Sequence, residues 1–155
     1  MISSVLPTAL AVSDLERSIG FYRDLLGFRV AAELPPLAER ERWDAYHEQV
    51  CRIPGAQIEV VYLEAPDGRT HLELIEYVSP KAPAPPRRGL HEPGTAIVAL
   101  SVRGSREAVE RLRAAGVDVL AGPVPYTSDE GVSTLTTYFY DPDGNALCLF
   151  ESLEG

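Results

Sequence analysis

The sequence has few cysteines, few basic residues and no long apolar run. Its two cysteines, Cys51 and Cys148, are too few for a disulfide framework and too far apart for a zinc knuckle. No stretch approaches the ~20 apolar residues of a membrane-spanning helix, and the opening residues lack the regions of a signal peptide. We expect a reduced cytoplasmic protein without a membrane partner; one long-range disulfide is the alternative.

Positive charge is also scarce. Lysine and arginine number 14 against 23 acidic residues, which gives a formal net charge of −9. Binding to a phosphate backbone needs clustered basic side chains. The single basic patch, Arg87 and Arg88, lies in a proline-rich segment and is interpreted as a solvated loop. We therefore expect no nucleic-acid partner.

The first half of the chain begins with a strand and a capped helix. The apolar run Leu6 to Val12 precedes Ser13, and Glu16 follows at capping-box spacing, which predicts a helix start at Ser13. Gly27 is predicted to end this helix in a left-handed conformation. Apolar residues recur at helical spacing on one face: Leu15, Ile19, Tyr22, Leu25 and Leu26.

The same order of pieces returns about ninety residues later. Thr95 to Val102 is a second apolar run, Gly104 or Ser105 opens a second helix, and Gly116 ends it. In each half a Pro-Asp-Gly turn then precedes a closing strand, 71–76 and 146–151. Further strands are predicted at 57–63 and 132–140.

This repeat predicts an α+β fold of two tandem βαβββ modules, with a cupped mixed sheet and the helices on its outer face. Module one spans 1–78, a proline-rich linker 79–94, and module two 95–155. Neither module could easily bury its sheet face alone, so we expect one domain over 1–155. A short helix containing Trp43 is predicted after a proline-rich excursion.

Three segments resemble one known family. AVSDLERSIGFYRDLLGF, HLELIEY and YFYDPDGNALCLFE are similar to the helix opening and closing strands of the glyoxalase/bleomycin-resistance/dioxygenase group, the vicinal-oxygen-chelate superfamily. The resemblance implies that group's fold. It also implies a small-molecule ligand and a homodimer, but no single activity, since the fold hosts many chemistries.

In catalytic members of that family, the resemblance implies, four inward-facing side chains hold a divalent metal. They lie on the first and last strands of both modules and are usually His, Gln or Glu. In this sequence the matching positions are Pro7, Glu73, Ile97 and Cys148. Only Glu73 is an ordinary ligand, and a catalytic site usually needs three. We therefore expect no metal cofactor.

Strand alternation places Glu73 on one face with His71, Ile75 and Tyr77. Glu73 is the candidate general base or ligand-orienting carboxylate. The alternatives are a solvated acid at the mouth of the cup, or one paired with an arginine such as Arg52. A rebuilt metal site from His71, Glu73 and either His47 or His91 is a further alternative.

The other predicted pocket-lining residues are less reactive than Glu73 and His71. Cys148 has no neighbour in sequence that would lower its pKa, so we interpret it as a buried structural thiol. Trp43 and Tyr138 are candidates for stacking on a planar ligand, with core or rim positions as the alternative. The full predicted lining is Pro7, Trp43, His71, Glu73, Ile97, Tyr138 and Cys148.

Three functional hypotheses follow. The first is a metal-independent protein that sequesters a small metabolite or drug. The second is an enzyme, a lyase, isomerase, epimerase or dioxygenase, with a non-standard metal site or with Glu73 as the base. The third is a subunit whose cup is vestigial and whose role is assembly.

Overall fold

The computed structural model describes residues 3, 6–69, 71–83 and 86–153. The chain divides into two compact units, Met1–Pro85 and Pro86–Gly155. In the first unit the elements are β1 (Thr8–Val12), α1 (Leu15–Gly20), β2 (Arg29–Leu34), α2 (Arg40–Cys51), β3 (Gln57–Glu64) and β4 (His71–Ser79). In the second they are β5 (Ile97–Ser101), α3 (Ser105–Ala114), β6 (Val124–Thr127), β7 (Ser133–Tyr140) and β8 (Ala146–Ser152).

Both units contain a four-stranded mixed sheet with the same topology. The strand order is β1-β4-β3-β2 in the first and β5-β8-β7-β6 in the second. In each, the first strand pairs in parallel with the last, and the remaining pairs are antiparallel. The predicted α+β fold with two βαβββ modules is confirmed. Whether both modules form one domain stays a prediction.

One face of each sheet packs under its helix, and we call it the helix face. In module one this face carries Leu10, Leu72 and Leu74, which are buried together with Leu15 and Ile19 of α1. Module two repeats the pattern, where the buried residues are Val109, Leu112, Leu135, Phe139, Leu147 and Leu149. The cores therefore lie between helix and sheet, as the apolar periodicity predicted.

The start of α1 differs from the prediction. The N-cap is Asp14, whose side chain accepts a hydrogen bond from the Arg17 N–H at 2.9 Å. Ser13 instead accepts a hydrogen bond from the Arg17 guanidinium at 3.0 Å. The prediction of Ser13 as the cap was wrong because two adjacent residues can both cap a helix, and Asp14 is the one in extended conformation directly before Leu15. Gly27, at φ 83, ends the helical segment as predicted.

A glutamate of each closing strand caps the helix of its own module. Glu76 accepts a hydrogen bond from the Leu15 N–H at 2.8 Å. Glu151 accepts hydrogen bonds from the N–H groups of Gly104 at 2.6 Å and Ser105 at 2.9 Å. The side chain and backbone of Ser105, with the backbone of Gly104, hold the pKa of Glu151 below its ordinary value. These contacts fix each helix against its sheet.

The described linker residues have partners in both modules: Lys81 pairs with Glu76 of β4 at 3.0 Å, whereas Arg87 and Arg88 contact module two. Arg87 pairs with Asp118 and lies over the Tyr140 ring at 4.4 Å. The Tyr140 hydroxyl donates to the Arg88 carbonyl at 3.3 Å. Residues 84 and 85 of the linker lie outside the described residues, as do residues 1, 2, 4 and 5. Among the described residues, no helix is long and apolar enough to cross a membrane.

Candidate functional site

Glu73 lies in the middle of β4, on the face of the module-one sheet opposite the helix face. We call this the Glu73 face. The register pairs Glu73 with Ala9 of β1 and with Tyr62 of β3. Burial raises the pKa of Tyr62, and the charge of Glu73 and a hydrogen bond to it raise it further. Tyr62 and Glu73 therefore form one polar pair with small alanines beside it.

His71 shares the Glu73 face but is engaged by a different carboxylate. Its Nε2 lies 3.5 Å from Oε2 of Glu64, which stands opposite His71 on β3. Arg29 of β2 holds the other oxygen of Glu64 at 2.6 Å. His71 is thus tied into an Arg29–Glu64–His71 chain at one edge of the face. Sequence reasoning missed Glu64, although alternation from Tyr62 places it on the same face.

The opposite end of the Glu73 face meets α2. The Cys51 thiol at the end of that helix lies 3.4 Å from the hydroxyl of Tyr77. The hydrogen bond to Cys51, followed by burial, raises the pKa of Tyr77. Arg40 at the other end of α2 forms an ion pair with Glu59 at 2.9 Å. The predicted short helix containing Trp43 is confirmed as α2.

Module two presents a different residue at the equivalent position. The register pairs Cys148 with Ala99 of β5 and with Tyr138 of β7. In each sheet, an alanine of the first strand and a tyrosine of the third strand therefore flank the equivalent residue of the closing strand, Glu73 or Cys148. Cys148 is 6 % exposed, and burial raises the pKa of its thiol, opposed in part by a backbone hydrogen bond from Thr137. This environment favours a neutral thiol over a nucleophile or metal ligand.

Comparison with known proteins identifies the family. The family model of the Glyoxalase/Bleomycin resistance protein/Dioxygenase superfamily matches residues 4–149. The chain belongs to this superfamily.

This superfamily member is similar to curated lyases and to several proteins of solved structure. It is 30 % identical to lactoylglutathione lyases of Salmonella typhimurium and Haemophilus influenzae, with 96 % of this chain and 92 % of each relative covered. A glyoxalase family protein from Bacillus cereus matches with a TM-score of 0.82 at 21 % identity, covering 99 % of this chain and 96 % of that one. Glyoxalase I of Leishmania major matches with a TM-score of 0.63 at 22 % identity, covering 97 % and 87 %. The structural matches show the fold.

The residues at the four family positions do not fit a divalent metal. Pro7 lies two residues before Ala9, and Ile97 two residues before Ala99, so both take the same place in the repeat. Neither side chain has a donor atom, and Ile97 is 41 % exposed. Glu73 and the Cys148 thiol are left, which is fewer than the three ligands that a catalytic site usually has.

The alternative metal site built around His71 is not assembled among the described residues. Within the part of the chain that the structure describes, no three His, Cys, Asp or Glu side chains form a group that could hold a metal ion. His71 is directed to Glu64, and His47 bonds the Trp43 carbonyl at 3.0 Å. The structure thus brings Glu73 together with Tyr62, and it leaves His47 on α2 and His91 in the second unit.

Proposed function

We propose that this superfamily member is a metal-independent small-molecule-binding protein that holds a metabolite or drug at the Glu73 face of module one. The observation that carries the proposal is that Pro7, directly before β1, and Ile97, the first residue of β5, take equivalent places in the repeat and have no donor atom. A protein that has the family fold but lacks metal-donor atoms at these positions is suited to binding a ligand without metal chemistry.

The composition of the Glu73 face supports this role. Tyr62 and Glu73 supply one hydroxyl and one carboxylate, Ile75 continues the face as apolar surface, and Val60 beside it is buried. A few orienting polar groups among apolar side chains are typical of ligand pockets. Because Glu73 carries the charge at this site, a ligand with a donor or a positive charge fits it best.

A thermal-shift screen of planar, amphipathic compounds tests the proposal. We expect stabilisation that saturates with ligand concentration and is the same with and without EDTA, because binding to the native state alone raises Tm. Glu73→Gln should weaken the binding of cationic ligands more than that of neutral ones. A matched control is Glu16→Gln, since Glu16 is an exposed carboxylate on α1, which packs on the helix face of the same sheet. Stabilisation that EDTA abolishes would contradict metal independence.

A metal-free enzyme is the second candidate, with Glu73 as the general base. The hydrogen bond that links Tyr62 to Glu73 favours it, because a positioned hydroxyl can orient a catalytic carboxylate. The lactoylglutathione lyases among the relatives supply the reaction to assay. Lactoylglutathione turnover that persists in EDTA and is lost in Glu73→Gln would favour the enzyme. Turnover that survives Glu73→Gln would exclude Glu73 as its base.

Assembly and location complete the proposal. We propose a homodimer, as the family resemblance implies, in a cytoplasmic, reducing compartment. Cys51 and Cys148 are both free thiols, in agreement with that compartment. Light scattering of the purified protein measures the assembly state; a monomer at micromolar concentration would contradict the dimer.

A further inference from the structure

The Cys51 end of α2 contacts the Glu73 face through Tyr77. Trp43, His47 and Cys51 recur at four-residue intervals, so they form a stripe along the helix. All three are half-buried, and Cys51 at the end of the stripe contacts Tyr77, which shares the face of Glu73. A ligand on the Glu73 face would therefore meet this stripe.

Two polar atoms beside the stripe are buried without a partner. They are the indole Nε1 of Trp43 and Oδ1 of Asp44, and within the described residues neither forms a hydrogen bond. Buried polar groups in folded proteins are nearly always satisfied, so each such exception asks for an explanation. A donor and an acceptor left open on adjacent residues match a ligand that accepts one hydrogen bond and donates another.

Aromatic contacts hold the Trp43 ring in place. His47 lies 4.4 Å from Trp43 between ring centroids, and Tyr46 lies 4.8 Å from His47 in an edge-on arrangement. Nδ1 of His47 donates to the Trp43 carbonyl, because a carbonyl can only accept. In the neutral ring Nε2 is then a second acceptor on this side of α2. The three rings form one contiguous aromatic cluster, in which His47 is tilted by 47° to Trp43 and perpendicular to Tyr46.

The helix itself is held by few contacts. No residue of α2 is fully buried, and its described ties to the sheet are the bonds of Arg40 at one end and of Cys51 at the other. A helix with little buried surface can shift at low cost. Such a shift would admit a ligand to Trp43 Nε1 and Asp44 Oδ1, which the ligand-free chain keeps covered.

We infer that Trp43 and Asp44 are specificity-determining residues on α2 and that they select a planar organic cation. This inference rests on the proposed function and names its ligand class. The ring of Trp43 stacks on the ligand plane and attracts its positive charge. Asp44 accepts a hydrogen bond from the cation or neutralises its charge, and the Trp43 N–H donates to an acceptor of the ligand.

A matched pair of probes tests the inference. 1-Methylquinolinium is a planar cation, and 1-methylnaphthalene is a neutral molecule of nearly the same shape. Trp43 is the single tryptophan of the chain, so its fluorescence reports contact directly, and calorimetry gives the affinities. We expect the cation to bind about tenfold more tightly than the neutral probe and to saturate the change in Trp43 fluorescence.

Three variants separate the contributions. Asp44→Asn should reduce the preference for the cation while 1-methylnaphthalene binds as before. Trp43→Phe, followed by calorimetry, should weaken both probes because the larger ring is lost. Glu41→Gln is the control, since Glu41 is an exposed carboxylate on the same helix, and it should change neither affinity. Circular dichroism spectra that match the wild type establish that each variant is folded.

Several results would overturn the inference. They are equal affinity of the wild type for both probes, no saturable binding of the cation, or a cation preference that is unchanged in Asp44→Asn. If the cation binds and Glu73→Gln weakens it while Trp43 fluorescence stays unchanged, the ligand lies elsewhere on the Glu73 face. In that case the inference fails and the proposed function stands.

Discussion

Tyr62 and Glu73 are the residues on which the candidate site depends, and their coupling can be measured. Burial, then the charge of Glu73 and the hydrogen bond to it, raise the pKa of Tyr62. A raised tyrosine pKa means that the folded state favours the neutral phenol. The stability from this preference is present below the ordinary tyrosine pKa of about 10 and is lost as the pH rises through the raised value.

We expect Glu73→Gln to lower the pKa of Tyr62, because it removes the negative charge that opposes phenolate formation. The measurement is an alkaline absorbance titration in which the curve of Tyr62→Phe is subtracted. Tyr77 provides an internal control, since its raised pKa arises first from Cys51 and should not change. An unchanged Tyr62 titration in Glu73→Gln would show that the two side chains do not interact.

Arg52 is the one described residue other than glycine with a positive φ, at 55°. It follows the last turn of α2, where glycine is preferred because a side chain strains the left-handed conformation. We expect Arg52→Gly to be about 0.5–1 kcal/mol more stable than Arg52→Ala. Arg52→Ala is the control because it removes the same side-chain atoms and keeps the strain. Urea denaturation measures the difference, and an Arg52→Gly variant no more stable than Arg52→Ala would contradict it.

At the scale of the element, the starts of α1 and α3 each depend on a glutamate from a distant strand. Glu151 accepts two backbone hydrogen bonds at the start of α3, and its lowered pKa shows that the folded state favours the carboxylate. Its contribution is therefore present above the ordinary glutamate pKa and is lost as the pH falls through the lowered value.

We expect Glu151→Gln to lower Tm at neutral pH by a few degrees, because the charged cap at the N-terminus of α3 is lost. The difference from the wild type should shrink in acid, where the wild-type carboxyl is protonated as well. Glu110→Gln on the exposed side of α3 is the matched control and should leave Tm unchanged. A Tm difference that is constant from neutral to acid pH would contradict a charged cap.

The whole fold could be predicted from the repeat, but the contacts of the site could not. Turn motifs, apolar periodicity and the glycines that end helices each involve residues only a few positions apart, so they can be recognised in the sequence. The cap by Glu76, 61 residues from Leu15, and the contact of Cys51 with Tyr77 depend on which strands become neighbours. Alternation placed His71 and Glu73 on one face, whereas the engagement of His71 by Glu64 required the β3–β4 register.

For the whole molecule, the central claim is that binding proceeds without a metal. Pro7 and Ile97 offer no donor atom, and the described residues contain no three-ligand group. The claim concerns the complete folded chain, because the four family positions are distributed over both modules. It predicts that no divalent ion is retained when the protein is supplied with one.

Metal analysis after exposure is the direct test. The purified chain is incubated with Zn²⁺, Ni²⁺, Mn²⁺ or Mg²⁺, passed through a desalting column and analysed by mass spectrometry for metals. We expect much less than one ion per chain for each metal, since two donor residues fall short of the usual three. About one ion per chain that is retained by the wild type and lost in Glu73→Gln would contradict the account.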